Sequence, residues 1–126
     1  MNRSTFLLLA GIYSTLLAIS MVFAPEMSLK NYGVPSVDVS HIAIMQFLGL
    51  SVGGFAILLL MNRNAPSSST LRSLLLAEAA NALAGVVLGV YHVYGLHVPV
   101  SAFFIGDTLF RLVLGLGFVY FYTREG

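Results

Sequence analysis

Cysteine is missing from the chain altogether. That excludes disulfide bridges, a thiolate nucleophile and a thiolate metal site, and it removes the feature from which a redox compartment is usually read. Tryptophan is missing too, so any aromatic anchors at a membrane surface have to be tyrosines. Charge is scarce: six Lys and Arg face five Asp and Glu, which make up 9% of the chain against the roughly 25% usual for a soluble domain. The net charge of +1 and the scattering of the basic residues leave no cationic patch, which argues against nucleic acid as a partner. No P-loop, dinucleotide-binding glycine motif, HExxH or GxSxG occurs, so phosphate-driven transport and familiar hydrolase chemistry have no basis here.

What fills the 126 residues instead is apolar: 58% of them are hydrophobic. Four runs approach or exceed the roughly 20 residues needed to cross about 30 Å of hydrocarbon. They cover residues 5–24, 41–61, 73–94 and 101–122. Each is continuous rather than alternating, and only a helix can satisfy its own backbone within one segment in lipid. The expected fold is therefore all-α, a single domain built as a four-transmembrane-helix bundle running up-down-up-down. The first run follows Arg3 and ends in "VFA" before Pro25, which imitates a secretory signal. Its length exceeds the roughly 7 to 15 residues of a signal's apolar core, and a proline after the cut would hinder cleavage, so a retained first span is expected. Pro25 to Tyr32 is expected to form one or two helical turns in the interface.

Arg3, Arg63, Arg72 and Arg124 flank the spans on one side and Lys30 stands alone on the other. The excess of basic residues on cytoplasmic loops places both termini in the cytoplasm. Tyr91, Tyr94, Tyr120 and Tyr122 form the aromatic belts. His41, His92 and His97 lack the spacing of a metal site, and neither a metal nor a cofactor is predicted.

Lipid tails are as apolar as leucine, so membrane helices associate through small residues and polar contacts. Each run carries such a stripe at spacings of three and four. In the first it is Gly11, Thr15 and Ala18; in the second, Gln46, Gly49, Gly53 and Ala56. The third has Glu78, Asn81, Ala82, Gly85, Gly89 and His92, and the fourth Asp107, Arg111, Gly115 and Phe118. The stripes are expected to face inward.

Asp107 and Arg111 lie inside the fourth run, "AFFIGDTLFRLVLGLGFVYFY". An arginine or aspartate at a helix centre costs about 2.5 to 3.5 kcal/mol on insertion scales, so partners are required. The acid stands four residues before the base, the favourable order for a helical ion pair. Counting about 1.5 Å per residue sets Asn81 near the level of Arg111, Glu78 a turn deeper, and Gln46 level with Asp107. A buried polar cluster is expected from Glu78, Asp107 and Arg111, with Asn81, Gln46 and Tyr13 contributing around it. Two acids and one base leave a surplus negative charge, which is where chemistry would enter; the competing reading is that the cluster only locks helix register.

Several stretches resemble the small bacterial four-helix membrane proteins that are DoxX-like in layout. They are Pro25 closing the first run, "YGVP" at Tyr32 to Pro35, "FLGLSVGG" at Phe47 to Gly54 and "LLLAEAANALAG" at Leu74 to Gly85. The resemblance spans most of the chain and is one of architecture, so it implies a membrane bundle in a bacterial inner (plasma) membrane and carries no functional residue across. Two functions follow from the residues. The leading one is a non-catalytic accessory or scaffold subunit, packed by its glycines in a homo-oligomer or with a protein partner in the lipid bilayer. The alternative is a membrane enzyme or carrier for a lipophilic small molecule such as a quinone, isoprenoid or lipid. Glu78 or Asp107 would then exchange a proton, and Arg111 and Asn81 would hold the polar head.

Overall fold

The computed structural model describes residues 1–97 and 99–125. Val98, in the predicted last connection, and Gly126 lie outside the described residues. The fold is all-α. Five helices follow one another: α1 (Arg3–Phe23), α2 (Pro25–Asn31), α3 (Val39–Met61), α4 (Ser69–Tyr94) and α5 (Ala102–Arg124). The four long ones have 21, 23, 26 and 23 residues, and each is long and apolar enough to cross a membrane. Their outward faces carry Leu16, Phe47, Val87 and Val113, all more than 60% exposed. Such surface would drive aggregation in water and matches lipid as a solvent. The chain is an integral membrane protein.

Every long helix starts on a polar cap that satisfies one of its orphan N–H groups. Asn2 accepts from Thr5 N at 2.8 Å, Ser68 from Leu71 N at 3.1 Å and Ser101 from Phe104 N at 3.0 Å. Asp38 Oδ1 accepts from His41 N, and His41 Nδ1 accepts from Asp38 N in return, closing a capping box. The Ser68 cap explains why α4 begins four residues before the predicted start: the apolar run opens later, but the serine can already turn the chain.

The chain divides into two compact units, Met1–Arg63 and Asn64–Gly126. In the first, α1 and α3 pack antiparallel, with α2 between them in sequence. A β-carbon on Gly11 would stand 2.6 Å from Leu60 Cδ2, and one on Gly49 would stand 2.8 Å from Met21 Cβ, so both glycines are needed for this approach. Gly53 lies over Ala18 at an ordinary 3.5 Å. The short α2 starts with Pro25, whose missing N–H costs nothing at a first helical turn. It ends in a Schellman motif: Gly33 N donates to Lys30 O, Val34 N donates to Leu29 O, and Gly33 sits at φ 92°. Val34 then packs on Met21, Leu29 and Met45, so the "YGVP" stretch is the device that folds the connection back on the hairpin.

In the second unit α4 and α5 form an antiparallel pair. Gly115 receives Leu83, whose Cδ2 would be 2.6 Å from an added β-carbon, and Gly89 receives Phe104 at 3.2 Å. Gly85 receives the side chain of Arg111. All six glycines predicted to serve packing therefore face the neighbouring helix of their own hairpin.

Candidate functional site

The α5 helix places Asp107 and Arg111 one turn apart on its face toward α4. Arg111 Nη2 donates to Asp107 Oδ2 at 3.0 Å. The side chain of the acid is 6% exposed and that of the base 37%. Helical side chains lean toward the N-terminus of their helix, so Arg111 reaches back to Asp107 rather than forward. The pair needs space on α4, and Gly85 provides it. A β-carbon there would stand 2.6 Å from Nη1 and 3.0 Å from Cδ of Arg111, so the guanidinium lies directly over the α4 backbone.

Glu78 is separate from this pair. It is buried, with 6% of its surface exposed, and its Oε1 has no hydrogen-bond partner among the described residues. Gly85 is seven residues further along α4, about 10 Å along the axis, so a guanidinium seated at Gly85 and turned toward Asp107 leaves Glu78 out of reach. The expected Glu78/Asp107/Arg111 cluster is thus an ion pair and a lone carboxyl.

Asn81 also differs from the inward position expected for it. It is exposed, and its side chain makes no hydrogen bond among the described residues. The buried face of α4 runs through Glu78, Ala82 and Gly89. Asn81 sits about 60° round the helix from Glu78, at the rim of that face rather than on it. Gln46 and Tyr13 belong to the first hairpin. Gln46 is exposed, and its Nε2 donates to Val22 O at 3.1 Å. That carbonyl is among the last four of α1, which have no partner inside the helix, so the glutamine acts as a C-terminal cap delivered from α3. Tyr13 is half-buried on α1.

Between α4 and α5 lies a groove of about 380 Å³, lined by Gly89, Val93, Tyr94, Val100, Phe104 and Thr108 among others. Its walls are apolar apart from Tyr94 and Thr108. Gly89 and Thr108 each lie close in sequence to a member of the Gly85/Asp107/Arg111 contact, whereas Glu78 does not line the groove.

At the far end of this hairpin Arg72 stacks over the ring of Tyr122 at 4.7 Å, and Arg124 lies 5.5 Å from the ring of Tyr120. In the first hairpin Arg63 Nε donates to Ser4 Oγ at 3.0 Å, joining the end of α3 to the start of α1. Each hairpin is therefore basic at the end where its own chain enters and leaves.

The pair at Asp107 and Arg111 was readable from spacing alone, whereas the notch at Gly85 was readable only as one glycine of a stripe. Its role as the seat of a guanidinium has no signal of its own in the sequence. Set against protein-family models, curated proteins and solved structures, the chain matches none of them.

Proposed function

We propose that this protein is a non-catalytic subunit of a membrane assembly, resident in a bacterial plasma membrane with both termini in the cytoplasm. One observation carries the reading. Halfway along α4 and α5, polar groups keep hydrogen-bonding capacity that their own hairpin does not use: among the described residues Asn81 makes no side-chain hydrogen bond, and Arg111, seated against α4 but still more than a third exposed, gives one bond to Asp107 out of five donors. Hydrocarbon supplies no partner for such groups, and polar side chains inside spans turn toward protein or enclosed water. A neighbouring chain supplies what lipid lacks. The basic ends of the two hairpins support the cytoplasmic placement of the termini.

The test is the mass of the particle extracted with its native lipid. A subunit of an assembly gives a protein mass of at least two chains, of one kind or two. A particle holding a single 13.5 kDa chain contradicts the reading.

Glu78 favours a second reading, a membrane enzyme or carrier for a lipophilic quinone, isoprenoid or lipid. A buried carboxyl oxygen without a partner costs about 1 to 3 kcal/mol, a cost that a proton-exchanging role would explain. Under this reading Glu78→Gln abolishes turnover while the fold persists, and full activity in that variant removes it.

A further inference from the structure

We propose that the end of the second hairpin where α4 begins and α5 closes binds the phosphodiester headgroup of an anionic phospholipid, through the guanidinium groups of Arg72 and Arg124. The assignment holds whether the chain works alone or in an assembly.

These two arginines differ from the other basic residues in what holds them. Lys30 is ion-paired with Glu26 at 3.3 Å, Arg111 with Asp107 at 3.0 Å, Arg63 donates to Ser4 Oγ, and Arg3 is engaged as well. Arg72 and Arg124 have neither a side-chain hydrogen bond nor an ion pair among the described residues. Each lies over a tyrosine ring instead, Arg72 at 4.7 Å from Tyr122 and Arg124 at 5.5 Å from Tyr120. A ring occupies the face of a guanidinium, whereas the N–H donors lie in its plane, so an arginine fixed in this way keeps donors for an oxyanion. Arg72 Nε is buried, which leaves the donors on its two Nη atoms for a ligand.

Both groups belong to one end of one hairpin. Ser67, just before α4, donates to the carboxylate of Glu125, just after α5, and Arg72 crosses from α4 to a ring of α5. Two arginines against Glu125 leave one positive charge in surplus. At about 1.5 Å per residue, the 23 residues of α5 span about 35 Å and the 26 of α4 about 39 Å, against about 30 Å of hydrocarbon. The last turn of α5 and the first of α4 therefore stand in the headgroup layer. The abundant oxyanion there is a phosphodiester, whose oxygens accept paired bonds from a guanidinium. A choline head would bring a cation that needs an acid, and Glu125 is already bonded to Ser67. The surplus charge selects a lipid of net negative charge.

Native mass spectrometry of the full chain, released from micelles holding equal amounts of phosphatidylglycerol and phosphatidylcholine, shows which lipid stays bound. The native chain is expected to retain phosphatidylglycerol at least about tenfold over phosphatidylcholine, and Arg72→Gln and Arg124→Gln each to lower that preference about fivefold. Arg124 is the last residue of α5, so its variant keeps the spans intact and carries the test alone should Arg72→Gln unfold. Tyr120→Leu keeps both charges and removes the seat of Arg124, and it is expected to lower the preference where Tyr120→Phe does not. Lys30→Gln removes one charge from a paired residue of the first hairpin and is expected to change nothing. Equal retention of the two lipids by the native chain overturns the site, as does a preference that survives the double arginine variant or falls as far in Lys30→Gln. Release of the bound phosphatidylglycerol by millimolar inorganic phosphate identifies a free-anion site and overturns the lipid as its occupant.

Discussion

Arg111 of α5 rests on Gly85 of α4 so closely that a β-carbon at that position would stand 2.6 Å from Nη1. A glycine in the middle of a helix normally weakens it, by about 1 kcal/mol relative to alanine in water. Here the missing side chain is what lets a charged group fold against the neighbouring backbone and meet Asp107. The residue is therefore better understood as part of the ion pair than as a packing residue that happens to be small.

Substitution at Gly85 should accordingly be read at Arg111. Gly85→Ala shifts a flexible guanidinium and costs about 1 kcal/mol, whereas Gly85→Leu blocks the seat and costs about 1 to 3 kcal/mol. Gly54→Ala is the control, since nothing lies within 4 Å of the added carbon, and it is expected to be neutral or slightly stabilising. Reversible unfolding in mixed micelles measures all three. Equal losses at Gly85 and Gly54 would contradict the assignment.

At Gly33 the backbone itself makes the demand. With φ at 92° and two Schellman hydrogen bonds formed around it, Gly33→Ala forces a side chain into the left-handed region. A loss of about 1 to 2 kcal/mol is expected, with Gly33→Asn costing less. The same unfolding assay decides it, and an alanine variant as stable as the asparagine one would show that the turn is not held this way.

Glu78 separates structure from chemistry. Its Oε1 is buried without a hydrogen-bond partner among the described residues, so Glu78→Met, which removes the carboxyl and keeps the length, is expected to leave stability unchanged or raise it by about 1 kcal/mol. A marked loss would mean that the carboxyl is held by a partner outside the chain.

How much of this was legible follows from which physical signal each feature leaves. The four spans announced themselves because hydrocarbon sets a length and forbids charge, and the Asp107 and Arg111 pair because one helical turn is four residues. Helix starts were less legible: α4 begins at Ser69, where a serine cap acts before the apolar run opens. Asn81 and Gln46 were expected inward because three- and four-residue spacings were read as one face. That face is wide, however, and its rim is exposed. Glu78 was expected on Arg111 because an arginine side chain can reach roughly a turn across the interface and offers five donors. The lean of helical side chains toward the N-terminus and the notch at Gly85 choose Asp107, and neither shows in the order of residues alone.

The most direct test of the account is a double-mutant cycle on Asp107→Ala and Arg111→Leu, measured by reversible unfolding in lipid-containing micelles. If the two charges hold each other inside the span, Asp107→Ala alone is expected to cost about 2 to 4 kcal/mol because it strands the arginine, and adding Arg111→Leu recovers most of that loss. Strictly additive losses, with no recovery in the double variant, would contradict the pairing on which the site rests.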